Sequence, residues 1–346
     1  MTPVLAARGL IRSPAMMSAA RDLRRALTMD GGVLLCGDPG TGRAQFARAI
    51  HLANDGSYGG SVEQLLRESM EPVRSNGRPF IEVDCTSPNG IERQLFGCDA
   101  QPSSLHGLDH ITEGSVLHNA FGGTLVLNHV PELPGRLQIR LARVLRDGEV
   151  LVQKKDGTER FEAVNLRPIA TMDAASGDDH QLVPLLRTRL EQTTIMMPRL
   201  RDRREDIPSL VAYLLVDICA SLNLPAKTAS RQAIQLLTAL PWQGNLQELK
   251  GLLQVLVLKV PGAVIRQGDV LRNIRLDGGS TAFVYGGSLK EAREQFEREY
   301  VAAVLEQHHG RMAEAAKALG IQRTNLYRKV RQLSVKRRVV SGKSLS

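Results

Sequence analysis

The stretch Val33-Leu34-Leu35-Cys36-Gly37-Asp38-Pro39-Gly40-Thr41-Gly42-Arg43-Ala44 decides how this chain is expected to fold. An apolar run leads into a glycine-rich turn, and a second apolar segment follows at residues 46–52. Strand, loop and helix in this order form a phosphate-binding loop, because the glycines let successive backbone N–H groups converge on an anion. The following helix adds the positive end of its dipole. Residues 37–44 are therefore a candidate nucleotide-binding loop.

The end of this loop departs from that of a nucleotide hydrolase. Arg43 and Ala44 stand where such enzymes place Lys and then Ser or Thr. Arg43 keeps a positive charge, but its forked head is larger than an ammonium group and is aimed differently. From the residues alone, binding of ATP or ADP and a structural turn that binds nothing are left equally open.

Length and composition indicate a globular protein of several domains. The chain has 346 residues, 42% of them hydrophobic, which is enough for two or three domains with a sizeable core. No apolar run approaches the length of a membrane span. The four cysteines show no CxxC pairing. We therefore expect no membrane partner, no metal site and no disulfide framework, and a location in a reducing cytoplasm.

Alternating strand-like and helix-like patterns predict an α/β fold for residues 14–200. Apolar strand-like runs occupy residues 80–84, 123–129 and 164–171. Helical spacing of apolar residues appears between them, as at residues 137–145. This alternation favours a parallel sheet whose ligand lies at the carboxyl ends of the strands. Residues 98–113 are polar and irregular and are predicted to form an exposed loop.

The pattern changes after residue 205. Three helical segments follow without strand-like runs, and a stretch rich in glycine comes after them. The predicted division is a core at residues 1–205, a small all-helical domain at 206–276, a linker at 277–287 and a C-terminal domain at 288–346.

The positive charge of the chain is concentrated at its C-terminal end. Residues 311–346 contain ten Lys or Arg and one acid, so this segment alone accounts for the formal net charge of +9. The other 310 residues hold 35 bases and 35 acids. A basic block of this kind indicates a nucleic-acid contact, although a solvated basic tail would give the same count.

Two short helices are predicted within this basic segment, at residues 311–319 and 322–333, with Gly320 in the turn between them. Ala313, Ala315, Ala316 and Leu319 are expected to pack the first helix. This is the plan of a helix-turn-helix, whose second helix enters the major groove of double-stranded DNA. A plain helical hairpin with a solvated basic face is the alternative.

The side chains expected to contact DNA are Gln322, Arg323, Thr324, Asn325, Tyr327, Arg328, Lys329 and Arg331. Arg, Asn and Gln can make paired hydrogen bonds to base edges, while Lys and Thr suit phosphates. Because one helix-turn-helix reads only a half-site, we expect a dimer formed through the amphipathic helix predicted at residues 288–308.

Residues 310–329 (GRMAEAAKALGIQRTNLYRK) resemble the Fis-type helix-turn-helix of bacterial enhancer-binding proteins, the AAA+ activators of sigma-54 RNA polymerase. Residues 241–249 (PWQGNLQEL) resemble the lid signature of that family, and residues 198–208 (PRLRDRREDIP) its segment between core and lid. Residues 122–127 (GGTLVL) resemble the strand that enters its Walker B motif. The resemblance implies an AAA+ P-loop core with a parallel sheet, a helical lid and a C-terminal Fis-type domain. It also implies a higher oligomer built through the core.

The residues that the family uses for hydrolysis are replaced here. Its Walker B Asp-Glu pair corresponds to Asn128-His129, the Asn of its first sensor to Met172 and the Arg of its second sensor to Gln247. An amide and an imidazole are poor substitutes for the carboxylates that position Mg²⁺ and the attacking water. We therefore expect a degenerate site that holds Mg²⁺ poorly, with no catalytic residues and hydrolysis lost.

Three further features of the family can be placed on the chain. Of two arginines that members offer to a neighbour's nucleotide, one corresponds to Val183, and the other is kept as Arg189, a candidate arginine finger. The GAFTGA loop that contacts sigma-54 should lie within residues 98–113, which contain nothing like it. No N-terminal receiver domain is expected.

Two functions follow from these observations. The first is a non-enzymatic, DNA-binding transcription regulator that keeps the AAA+ fold as a scaffold for oligomerisation. Such a scaffold could also bind a regulatory protein or an active family member. The second is an active AAA+ ATPase that activates sigma-54 RNA polymerase. The Asn128-His129 pair and the missing contact loop favour the first function.

Overall fold

The computed structural model describes residues 10–54, 60–70, 77–86, 90–98, 108–174, 182–274, 312–318 and 322–332. The chain divides into two compact units, Met1–Ile265 and Arg266–Ser346, and each is described by itself. Within the described residues, no helix has the length and apolar content needed to cross a membrane.

The first unit contains ten described strands and ten described α-helices. The strands are β1 (Val33–Cys36), β2 (Phe80–Asp84), β3 (His110–Thr112), β4 (Thr124–Asn128), β5 (Glu149–Gln153), β6 (Glu159–Ala163), β7 (Arg167–Met172), β8 (Thr193–Met196), β9 (Thr228–Ala229) and β10 (Val264–Ile265). The helices are α1 (Pro14–Leu27), α2 (Arg43–Asn54), α3 (Val62–Glu68), α4 (Ile91–Phe96), α5 (Val116–Asn119), α6 (Gly135–Asp147), α7 (Pro184–Leu190), α8 (Ile207–Ser221), α9 (Arg231–Ala239) and α10 (Asn245–Lys259).

A five-stranded parallel sheet organises this unit. Its strand order is β2-β4-β7-β1-β8, and every pair of neighbours runs parallel. All four residues of β1 are buried, as expected for a strand covered on both faces. The predicted α/β class and parallel sheet are confirmed. The strands predicted at residues 80–84, 123–129 and 164–171 are β2, β4 and β7.

Successive side chains of these strands point to opposite faces of the sheet and enter two apolar cores. Leu34 and Leu127 lie in one core, which α4 to α7 cover with residues such as Leu141. Leu35 and Val126 lie in the other core, covered by α1 to α3. Because the central residues of β1 and β4 are all apolar, both faces of the sheet are apolar, and helices on both sides are needed to cover them.

A smaller sheet lies outside the main one and corrects one prediction. Strand β3 pairs in parallel with β5, and β5 and β6 form an antiparallel hairpin. The prediction of an exposed loop at residues 98–113 is wrong for β3, where Ile111 is fully buried. The polar neighbours His110 and Thr112 hid this strand, because only one of its three residues is apolar. Residues 99–107 lie outside the described ranges.

The helices predicted for the second domain are present. Helices α8, α9 and α10 follow one another, and α8 packs against both of the others. Asp217 of α8 forms an ion pair with Lys250 of α10 at 3.7 Å. In addition, the two-residue strands β9 and β10 pair in parallel and join the turn before α9 to the segment after α10.

The second unit contains α11 (Gln267–Asn273) and the C-terminal pair α12 (Met312–Ala318) and α13 (Arg323–Gln332). Helices α12 and α13 pack against each other. They agree with the two helices predicted at residues 311–319 and 322–333, whose end residues 311, 319 and 333 are not among those described.

Helix α6 offers a direct test of the core. Replacing the fully buried Leu141 with Ala should lower the free energy of unfolding by about 2–5 kcal/mol, because it leaves a cavity between α6 and the sheet. Ile139, on the same helix, is 40% exposed, and its replacement with Ala should cost less than about 1 kcal/mol. Urea unfolding of both variants measures the difference, and equal costs would contradict this assignment of the helix faces.

Candidate nucleotide site and nucleic-acid interface

The loop between β1 and α2 has the backbone geometry of an anion-binding turn. Gly40 and Gly42 have φ angles of +75° and +111°, in the left-handed region that side chains disfavour. The N–H and the hydroxyl of Thr41 both donate to the carbonyl of Asp38, at 3.3 and 2.7 Å. Helix α2 begins at Arg43, and the first N–H groups of a helix have no partner within it. Strand, loop and helix thus follow in the predicted order.

The carboxyl ends of three other strands lie along the same edge of the sheet as this loop. The last residue of β1 is level with Met172 of β7, and the N–H of Gly37 donates to the Met172 carbonyl at 3.1 Å. Strand β4 is next and ends at Asn128, which is level with Asp84 at the end of β2. The polar residues at these strand ends therefore belong to the surroundings of the loop.

Both charged residues of the loop are paired within the chain. Nη1 of Arg43 lies 2.6 Å from Oδ1 of Asp173, just after β7, and Nε of Arg199 lies 2.5 Å from Oδ2 of Asp38. The Arg43 side chain is only 9% exposed and that of Asp173 is 37% exposed. Because an isolated buried guanidinium is costly, Asp173 balances a charge that would otherwise be desolvated alone.

Sequence reasoning missed Asp173. The resemblance placed the first-sensor position at Met172, whose side chain packs against the apolar core. The following residue, Asp173, is the one whose side chain reaches the loop. The available signal was an acidic residue directly after a buried strand. Because the sensor position was assigned to the preceding residue, Met172, the acidic residue was not considered.

Asn128 and His129 are held at the end of β4 by Thr171. The Thr171 hydroxyl donates to the Asn128 side-chain oxygen at 3.3 Å and accepts from the His129 N–H at 3.1 Å. His129 has a left-handed φ of +55°, and its Nδ1 lies 3.3 Å from Oδ1 of Asp84. The pKa of Asp84 is held below its ordinary value, mainly by a hydrogen bond from the Thr86 N–H. Hydrogen bonds from the Thr86 hydroxyl and from His129 act in the same direction. In the described part of the chain, no three His, Cys, Asp or Glu residues are grouped to hold a metal ion.

The start of α10 covers the loop from the lid side. Two hydrogen bonds join them, from the Leu246 N–H to the Gly40 carbonyl and from the Asn245 side-chain amide to the Pro39 carbonyl, both of 2.9 Å. A Cβ at Gly40 would lie 2.5 Å from the Gly244 carbonyl oxygen and 3.3 Å from Cβ of Gln247. Gln247, the second-sensor position, therefore lies directly beside the loop.

The segment between core and lid also contacts the loop. Nη2 of the buried Arg203 donates to the Thr41 carbonyl at 2.6 Å. Burial lowers the pKa of Arg203 to about 10, and the nearby Asp206 opposes this shift. Asp206 in turn accepts hydrogen bonds from the N–H and the hydroxyl of Ser13, the N-cap of α1. One polar network therefore joins the start of the core, the loop and the start of the lid.

Arg189 lies at the other end of the sheet from this chain's own loop. It is partly exposed on α7, and a Cβ at Gly32, just before β1, would lie 2.1 Å from its carbonyl oxygen. The loop follows the opposite, carboxyl end of β1. Among the described residues, the Arg189 side chain makes no ion pair. The structure thus does not bring Arg189 together with residues 37–44.

The candidate DNA-contacting residues lie on α13 or just before it. Gln322, Arg323, Thr324, Asn325 and Arg328 are exposed, while Leu326 is fully buried. Tyr327, Lys329 and Arg331 are also in α13, but their side chains are not among those described. One polar face is therefore open to a ligand, and the opposite side anchors the helix.

Helix α12 packs with fewer residues than predicted. Met312 and Ala316, one helical turn apart, are 5% and 3% exposed. Ala313 is exposed, so the prediction that it packs the first helix is wrong. It follows Met312 by one residue, which turns its side chain about 100° away from the buried face. Ala315 and Leu319 lie outside the described side chains.

Three family matches cover most of the chain. Residues 10–183 match the sigma-54 interaction domain, residues 201–282 the AAA+ ATPase lid domain and residues 292–333 the Fis family of bacterial regulatory proteins. The chain belongs to the family of AAA+ sigma-54-dependent transcription regulators with a Fis-type helix-turn-helix. The predicted family and domain types are confirmed.

Several proteins are similar to nearly the whole of this chain. Regulatory protein AtoC of Escherichia coli K12 is 30% identical over 94% of this chain and 68% of its own length. Transcriptional regulatory protein ZraR of the same strain is 30% identical over 92% of this chain and 67% of its own. Crystal structures of NtrX from Brucella abortus in complex with ATP and with ADP give TM-scores of 0.58 and 0.56 at 26% identity. They cover 94% and 95% of this chain, which spans 69% and 70% of theirs.

The contact between loop and lid can be tested at Gly40. In Gly40→Ala the new methyl group collides with the Gly244 carbonyl, so the Leu246 N–H should lose its partner and exchange faster with deuterium. Gly114→Ala is the matched control, because Gly114 has a φ of +85° and open space around it. We expect Gly40→Ala to cost about 1–3 kcal/mol more than the control in unfolding free energy. Unchanged exchange at Leu246 would argue against the contact.

Proposed function

We propose that this protein is a sequence-specific, DNA-binding transcription regulator whose AAA+ core binds ATP or ADP without hydrolysing it. The observation that carries the proposal is the end of β4, where Asn128 bonds to Thr171 and the His129 ring lies against Asp84. An amide and an imidazole at this place do not hold Mg²⁺ or orient a water as carboxylates do. Val183 and Gln247, at positions where the family has arginines, support the same conclusion.

Nucleotide binding is supported by the loop itself. The glycine conformations and the start of α2 at Arg43 keep the backbone arrangement that receives phosphates. The relative NtrX has been crystallised with ATP and with ADP. In this proposal the nucleotide is a structural or regulatory ligand of the core.

DNA binding is supported by the exposed polar face of α13 and by the charge of the C-terminal segment. Arg323, Asn325 and Arg328 can contact base edges, and the basic residues around them can contact phosphates. We expect a dimer through residues 288–308, which lie outside the described ranges. The absence of a GAFTGA sequence from residues 98–113 supports regulation without the usual sigma-54 contact, through a partner protein or an active family member.

The first test is phosphate release by the purified full-length chain, measured with and without DNA. We expect turnover at least about 10³-fold slower than that of an active relative prepared in parallel, because the groups that stabilise the transition state are missing. Turnover close to that of the relative, abolished by Arg43→Ala, would instead support the second function, an ATPase that activates sigma-54 RNA polymerase.

The second test concerns α13. On a DNA site selected in vitro by the full-length protein, Arg323→Ala and Arg328→Ala should each weaken binding by about 1–3 kcal/mol if the arginine contacts a base. Arg231→Ala, which removes an exposed arginine from α9, is the matched control and should bind like the parent chain. Fluorescence anisotropy across a salt series measures both effects, and parent-like binding by both α13 variants would place the DNA contact elsewhere.

A further inference from the structure

We propose that Asp173 makes the loop select a nucleoside diphosphate over a triphosphate, by occupying the side of Arg43 on which a terminal phosphate would bind. The inference rests on the proposed nucleotide binding. It concerns which phosphate chain the site accepts, and it follows from the position of one carboxylate.

The order of the strands indicates on which side of Arg43 a terminal phosphate would bind. Strand β7 lies between β1, which carries the loop, and β4, which ends at Asn128 and His129. In nucleotide hydrolases of this family, the metal and the attacking water at the terminal phosphate are held at the end of the strand that corresponds to β4. Asp173 follows β7, so it lies between the loop and the terminal-phosphate end of the site.

The contact of Asp173 with Arg43 resembles a contact with phosphate. The residue at position 43 is the one that reaches the outer phosphates in a loop of this type. Its guanidinium is nine-tenths buried and already has a carboxylate oxygen at 2.6 Å. Carboxylate and phosphate oxygens use the same donors of an arginine fork, so they compete for it.

A triphosphate would therefore meet two costs that a diphosphate avoids. Its third phosphate must displace Asp173 from Arg43, and it brings negative charge next to that carboxylate. A second cation beside the loop, Arg199, is held by Asp38 at 2.5 Å, and a third, Arg203, donates to the Thr41 carbonyl. His129 lies against Asp84. Ala44 has no hydroxyl for Mg²⁺, and Asn128 has no carboxylate, so a metal ion offsets little of the repulsion.

A diphosphate keeps the main attraction of the site. In a loop of this type, the backbone N–H groups of its second half and of the first turn of the following helix bind the inner phosphates. The conformations of Gly40 and Gly42 and the start of α2 at Arg43 agree with this arrangement. These groups remain in place when Arg43 pairs with Asp173. The carboxylate then acts as a built-in substitute for the third phosphate.

Calorimetric titration of the full-length chain with ADP and ATP, each with and without Mg²⁺, tests the inference. The parent chain should bind ADP at least about tenfold more tightly than ATP. Asp173→Asn removes the charge and keeps the size, and it should strengthen ATP binding by about tenfold or more while changing ADP binding less. Asp173→Glu keeps the charge and should keep the preference for ADP.

One control variant and two contrary outcomes complete the test. Asp22→Asn removes one carboxylate from α1 and should behave like the parent chain. Equal binding of ADP and ATP by the parent chain, unchanged in Asp173→Asn, would overturn the inference and leave nucleotide binding intact. Binding of neither nucleotide by the parent chain or by any variant would overturn the proposed nucleotide binding itself. Thermal unfolding checks that each variant is folded, and Asp173→Ser replaces Asp173→Asn if the latter is not.

Discussion

The structure depends on how three carbonyl groups of the glycine-rich loop are satisfied. A loop that turns its N–H groups toward an anion turns carbonyls the other way, and carbonyls shielded from water need donors. Here Pro39 receives a hydrogen bond from Asn245, Gly40 from Leu246 and Thr41 from Arg203. All three donors lie beyond the core sheet, in the lid or in the segment leading to it. The loop is thus a place where core and lid are joined by hydrogen bonds.

The charges around the loop follow the same principle of internal satisfaction. Arg43 is paired with Asp173, Asp38 with Arg199, and Asp84 with His129. In this chain, the two charged residues of the loop, Asp38 and Arg43, each have a partner of opposite charge within the chain. These pairs support the proposal of a core that keeps the fold of its family and binds a nucleotide without hydrolysing it.

The parts of the fold that could be predicted are those with a strong local pattern. Val33 to Cys36 and the strand ending at Asn128 are continuous apolar runs, and glycines mark the turn after the first of them, so strand and loop were evident. Strand β3 was not, because one apolar residue between His110 and Thr112 is too short a pattern to recognise, and its pairing with β5 is a tertiary contact. Asp173 was missed for a related reason. A resemblance aligns positions along the chain, but only the packing of Met172 into the core shows which neighbour points at the loop.

Asn245 has a consequence for the way the protein unfolds. It adopts a left-handed φ of +55°, and its side chain accepts from the Leu200 N–H at 2.9 Å while donating to the Pro39 carbonyl. One residue thereby joins the lid, the linking segment and the loop, and the fully buried Leu249 and Leu253 continue the same helix inward. Elements tied in this way are expected to lose their contacts together, so we expect core and lid to unfold as one cooperative unit despite their separate family matches.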